Sequence, residues 1–183
     1  SGNLIGSQET AILLRASRGV VVAGNSIYSG YRRSLVIEDA EHIVVSGNSI
    51  DHNPEYRGKS TDQMILTRSR NVNLHGLIQQ HTLDSEGEVE ASVLLQDCEN
   101  VNVTGCQFLG VRKRGLLVRG CKVLRLADCT IRPREGDRSF HSAIEVDEKS
   151  SSVLVVNNFL ARGSVGDLLL PKNAGTATGN LSL

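Results

Sequence analysis

Three polar segments hold the side chains best suited to chemistry. "DHNPEYRGKSTD" at 51–62 carries His52, Glu55, Arg57 and Lys59; "HTLDSEGEVE" at 81–90 carries His81, Asp84, Glu86 and Glu88; "RPREGDRSFH" at 132–141 carries Arg134, Asp137, Arg138 and His141. An imidazole changes charge near neutral pH, so His52, His81 and His141, with the carboxyl groups of Glu55 and Asp137, are the candidates for moving protons. A guanidinium fork matches carboxylate or sulfate oxygens and an ammonium adds a point charge, which makes Arg57, Lys59, Arg134 and Arg138 candidates for holding an anionic group. Asp84, Glu86 and Glu88 alternate around Gly87 and offer hard oxygen ligands to Ca²⁺, without the fixed positions of an EF-hand loop. The plainer alternative is that these are loop tips, charged because water solvates them.

What positions these segments is a repeat. "VVVAGNSIYSG" at 20–30 returns as "IVVSGNSIDHN" at 43–53, and equivalent positions follow along the chain at Gly2, Gly24, Gly47, Gly76, Gly105, Asp128, Asn157 and Gly179. The intervals are 22, 23, 29, 29, 23, 29 and 22 residues. Just before most of these positions lies a pair of apolar residues at strand spacing, such as Val20/Val22, Ile43/Val45 and Val101/Val103. About twelve residues upstream lies a second apolar element: "AILL" at 11–14, "SLVI" at 34–37, "QMIL" at 63–66, "SVLL" at 92–95, "GLLV" at 115–118, "AIEV" at 143–146 and "DLLL" at 167–170. Each unit therefore holds two clear short strands, a turn, a poorer third strand and a loop of variable length. That period is the signature of a solenoid, and the Leu-x-x-Leu-x-Leu spacing of leucine-rich repeats is missing.

The units resemble the parallel β-helix repeat, Gly-Ile-x-Leu-x-x-Ser-x-Asn-Val-x-Ile-x-x-Asn-x-Ile. "SVLLQDCENVNVTGCQF" at 92–108 and "SLVIEDAEHIVVSGNSI" at 34–50 carry the resemblance, which extends over essentially the whole chain. It implies an all-β, right-handed, single-stranded parallel β-helix of about seven coils, similar to pectate-lyase-like proteins. In such a coil like residues stack ~4.8 Å apart, so Asn25 falls on Asn48 and Asn158 on Asn180 as an asparagine ladder, with Ile27 on Ile50. The family works mostly on polysaccharides in a groove on the outer face of the first strand, between the variable loops. The resemblance thus implies a lyase or hydrolase acting on an acidic polysaccharide, in a secreted, periplasmic or cell-surface setting. The alternative is a non-catalytic structural, binding or oligomerisation domain of a larger protein.

The enzyme motifs of the relatives are missing. Of the Asn-Thr-Asp, Asp-Asp, His-Gly and Arg-Ile-Lys set only an isolated His75-Gly76 pair is present; "RPREGDR" at 132–138 only partly matches Arg-x-Pro-x-x-Arg, and "DHNP" at 51–54 scrambles Asp-Pro-His-Asp. The three charged segments are the three long loops: Gly47 to Met64, Gly76 to Val93 and Asp128 to Ile144 exceed the eleven-residue short loops by five or six residues, all on one edge.

Composition narrows the rest. The 183 residues carry 20 Lys+Arg and 20 Asp+Glu, and a zero net charge speaks against nucleic acid or an anionic membrane as partner. No apolar run approaches the ~18 residues of a membrane span. One domain accounts for residues 1–183, and because "SGNLIG" opens in mid-repeat and neither end carries a cap, a longer parent chain is expected. Cys98 and Cys121 share one stacked position, Cys106 and Cys129 another; parallel Cβ vectors make poor disulfides, so buried free thiols are expected, and the spacing is not that of a zinc site. No cofactor is implied beyond the Ca²⁺ raised above. Finally, the residues expected to point outward from the first strands, Leu13, Val36, Ile65, Leu94, Leu117 and Leu169 with Glu145 among them, form an apolar strip. Such a strip calls for a cover: the long loops, a partner domain or another subunit.

Overall fold

The computed structural model describes residues 1–52, 55, 60–80 and 89–183. Among these there is no α-helix, and every strand pairing is parallel. The chain winds through three faces per coil. The first face takes the C-terminal parts of Leu4–Arg15 and Ser26–Glu38, then Gln63–Thr67, Val93–Gln96, Arg114–Arg119, Ser142–Val146 and Leu168–Leu169. The second takes Arg18–Ala23, Glu41–Ser46, Arg70–His75, Glu99–Thr104, Lys122–Ala127, Ser151–Val156 and Gly175–Thr178. The third takes the N-terminal parts of the two long strands, then Ser49–Asp51, Ile78–Gln80, Gln107–Val111, Thr130–Pro133, Phe159–Leu160 and Leu181–Ser182. Seven coils result, numbered here from the N-terminus by their first-face strand. The fold is a parallel β-helix.

The repeat explains why each coil finds its register. Inward residues stack in columns: Leu35, Met64, Val93, Leu116 and Ile144 on the first face; Ile43, Val72, Val101, Leu124 and Val153 on the second. All ten are buried in one continuous core, so a slip by one residue would turn both columns to water. The repeated glycine position marks the corner between the second and third faces, and it has positive φ in all eight units. At Gly47 an added Cβ would meet nothing within 4 Å, so φ (57°) rather than space selects glycine there. Asp128 and Asn157 adopt the same conformation, as short polar side chains tolerate it best.

Next to that corner the asparagine amides bond from coil to coil. Asn25 Nδ2 donates to Asn48 Oδ1 at 2.9 Å and Asn158 Nδ2 to Asn180 Oδ1 at 2.8 Å. Leu77, Cys106 and Cys129 occupy the same position in between. All four cysteines are buried and unbridged. The stacked thiol partner, and burial after it, push Cys121 and Cys129 well above the ordinary thiol range, which keeps them neutral.

A second periodic feature lies on the outside, at the corner between the first and second faces. Arg18, Glu41, Arg70, Glu99 and Lys122 are register partners in one column, with alternating sign. Beside it Arg68 bonds Asp39 (2.8 Å) and Glu38 (2.6 Å), and Arg15 also bonds Glu38 (2.8 Å). Hydrogen bonds from these arginines hold Glu38, Asp39 and Glu41 below the usual carboxylate range. The pairs are solvent-exposed, so their contribution is modest and screened. Arg70→Ala is expected to lower the melting temperature by less than about 2–4 °C at low salt. The difference from the parent should vanish in about 1 M salt, and calorimetry at both salt levels checks this.

Candidate functional site

The corner between the third and first faces carries the long loops, and two sites lie on it. The first is a cleft of about 460 Å³ lined by Gln80, Leu109, Gly110, Arg132, Pro133, Arg134 and Glu135. Its floor forms where the third-face strands of coils 3 to 5 stack, with Gln80 against Leu109 and Leu109 against Arg132. On one side the short connection after Val111 leaves room; on the other the longer 134–141 segment rises. Arg132, Arg134 and Glu135 are exposed, so the cleft offers two guanidiniums and a carboxylate around an apolar base.

The rising segment is anchored by Asp137. Its carboxylate accepts from Ser139 N (2.8 Å) and Ser139 Oγ (2.6 Å) and faces Arg112 Nε at 3.3 Å. Partial burial works to raise its pKa, but the serine bonds and the Arg112 and Arg134 charges outweigh that and hold it low. His141 ties the same segment through its backbone, its N–H donating to Lys113 O at 2.6 Å.

The second site is a buried polar nest at the root of the first long loop. Asp62 is fully buried and is the single charged residue in the buried set among the described residues. Its Oδ1 accepts from Gly30 N (2.6 Å) and Ser34 Oγ (3.1 Å), its Oδ2 accepts from Ser60 Oγ (2.7 Å), and His52 Nδ1 lies 3.8 Å from Oδ2. Gln79, also fully buried, donates its Nε2 to Asp62 O at 2.7 Å. Burial raises the Asp62 pKa, against the lowering pull of Ser60, Gly30, Ser34 and the His52 charge. Asp62 therefore ties three elements into one network: its carboxylate holds the turn after Gly30 and the first long loop, and its backbone carbonyl holds the third-face strand of coil 3.

The structure brings together only some of the candidate residues. Arg134 lines the cleft, and Arg138 is exposed on the same segment outside it. His52 faces the nest, while Glu55 is exposed. Arg57, Lys59, His81, Asp84, Glu86 and Glu88 lie outside the described residues. Among the described residues no group of three or more His, Cys, Asp or Glu side chains is placed to hold a metal ion. Asp62 and Gln79 were not singled out from the sequence, and Arg132 stood there as one charge of the 132–141 segment with no binding role. Gln79 was visible there, as a polar residue in the middle of a column that runs Ile27, Ile50, Gln79, Phe108, Ile131 and Leu160.

The outward strip is less open than its composition suggests. Leu13 is 48% exposed, Ile65, Leu94 and Leu169 are half-buried, and Val36 and Leu117 are buried. Leu117 is the register partner of Glu145, which pairs with Arg114 (Nε–Oε2 2.5 Å), and Arg119 of the same strand makes a two-pronged contact with Glu90 (2.9 Å each).

The class that these coils define is the parallel β-helix. No protein-family model matches the sequence, and no curated protein does. Among solved structures the chain is similar to a candidate glycosyl hydrolase from Parabacteroides merdae, with a TM-score of 0.58 over 96% of this chain and 81% of that one, at 10% identity. It is also similar to the A-module of the mannuronan C-5 epimerase AlgE6 from Azotobacter vinelandii, with a TM-score of 0.50 at 10% identity; 91% of this chain aligns, and it spans 58% of that one. At such identity the likeness establishes the shared fold and leaves function to the site.

Proposed function

We propose that the chain is a carbohydrate-associated β-helix whose loop-bearing edge binds an acidic polysaccharide. The observation that carries this reading is the cleft between Gln80 and Glu135, where Arg132 and Arg134 stand over an apolar floor of Leu109 and Pro133. A uronate or sulfated sugar presents both chemistries, a ring face for the floor and an anionic group for a guanidinium fork. Recognition rests on charge and hydrogen bonds, because the chain has no Trp for a broad stacking platform. The fold of the two solved relatives, one a mannuronan epimerase, supports a sugar polymer as the ligand class, and an extracellular, periplasmic or cell-surface setting accords with it.

A catalytic role is not part of the proposal, since no acid and base face one another across the cleft among its lining residues. Binding to an array of uronic-acid and sulfated polysaccharides at low salt tests the reading. Arg132→Ala and Arg134→Ala are each expected to weaken binding about fivefold, the scale of an exposed charged contact, with the melting temperature unchanged. Failure to bind any anionic glycan, or binding insensitive to both substitutions, would refute it.

A further inference from the structure

Two shallow clefts lie side by side on coils 1–4 and share Arg68, on the opposite edge of the first face from the sugar cleft. One, of about 360 Å³, has the apolar floor Leu13, Val36 and Ile65. The other, of about 570 Å³, runs over the corner above Ala16, Ser17, Ala40 and Ser69. Between them stands the charged ridge. Taken coil by coil it is basic (Arg15, Arg18), acidic (Glu38, Glu41), basic (Arg68, Arg70) and acidic (Asp97, Glu99). The arginines are ordered by their neighbours yet keep much of their surface in water, 65% for Arg15 and 63% for Arg70.

We propose that this surface joins two copies of the chain, packed face to face with antiparallel coils about a two-fold axis lying in the interface between coils 2 and 3. Such a rotation keeps strip on strip and ridge on ridge while reversing the order of coils. Coil 1 then opposes coil 4 and coil 2 opposes coil 3, so every basic band meets an acidic one. Along the strip Leu13 meets Leu94 and Val36 meets Ile65. The contact is isologous and closes at two copies. It has an apolar centre beside a polar margin, the usual anatomy of a protein interface. The alternation also fixes register: shifting the partner by one coil sets like charge against like, which specifies against the slip. With a net charge of zero, no overall repulsion opposes association.

Four rungs at ~4.8 Å make a patch only ~15–20 Å long. That is small beside the ~800 Å² per partner of a standard interface, so the dimer is weak and forms at concentrations on the order of 100 µM. Sedimentation equilibrium of the full chain in low salt, in that range, is expected to give a mass approaching twice the monomer's. The variants R68E/R70E and E38R/E41R each place like charges across the axis and are expected to self-associate at least about tenfold more weakly. Mixed in equal amounts they restore opposite charges between coils 2 and 3 and are expected to dimerise again. Circular dichroism and thermal unfolding verify that each is folded. Should either not fold, Leu13→Asp, which leaves every ion pair intact, is expected to abolish the dimer by itself. The proposal is overturned by a parent chain that stays monomeric, by folded variants that associate no better mixed than apart, by an L13D chain that still dimerises, or by a ridge that captures only an anionic glycan.

Discussion

Phe108→Ala is expected to cost about 3–5 kcal/mol of folding stability, the range for truncating a buried aromatic side chain. Phe108 is the largest of the fully buried side chains among the described residues, stacked between Gln79 and Ile131 in the inward column of the third face. Neither neighbour can fill the space. Gln79 is fixed by its bond to Asp62 O, and Ile131 is β-branched and held in register by Thr130 N–H bonding to Cys106 O at 2.9 Å. In a solenoid each coil contacts chiefly the next, so the cavity weakens the coupling of coils 1–3 to coils 5–7. Urea unfolding followed by circular dichroism should show a lower midpoint and a broader transition. A midpoint within experimental error of the parent would mean that the core column closes over the gap.

The nest gives the second large effect, and its size depends on pH. Asp62→Ala removes the acceptor of Gly30 N–H and of the Ser34 and Ser60 hydroxyls. The hydroxyls can turn to other partners; the backbone N–H cannot, and leaving a buried donor unmade costs about 1–3 kcal/mol. Because burial raises the Asp62 pKa in the folded chain, its protonated form is the one that folding favours. Its contribution is therefore fully present below the unfolded carboxyl pKa of about 3.9 and is lost as pH rises through the higher folded value. Glu38, Asp39 and Glu41 have lowered pKa values and behave oppositely, losing their contribution as pH falls. The Asp62→Asn variant isolates the first effect. Unfolding midpoints followed from about pH 3 to pH 8 should show the parent losing stability relative to this variant as pH rises through the folded Asp62 pKa. Parallel profiles for the two proteins would exclude Asp62 as the titrating group.

The residues that the repeat dictates were legible before any coordinates. Stacking places identical environments one coil apart, so Val, Ile and Leu recur where the interior is dry, and Gly, Asp128 or Asn157 recur where φ must be positive. The same alignment held the alternating charges of Arg18, Glu41, Arg70, Glu99 and Lys122, one unit apart at 23 or 29 residues; that they stand as a ridge beside Arg15, Glu38 and Arg68 needed the fold. The outward strip was legible as a pattern and not as a surface, because Leu117 is buried in a first-face strand whose Arg114 and Arg119 pair with Glu145 and Glu90 of other coils.

The sequence by itself determined the architecture, the three-face coil and the edge on which the long loops fall, since each follows from a local preference repeated at a fixed interval. Only the tertiary structure decided which polar residues act together. Asp62 meets Gly30, Ser34, His52 and Gln79 across as many as 32 residues of chain, and Arg134 and Glu135 reach the cleft over Leu109 from the long loop that follows Pro133. The physical reason is that a repeat fixes what stacks along the axis, whereas loops of unequal length fix what meets across a corner. That second relation has no period for a sequence to display.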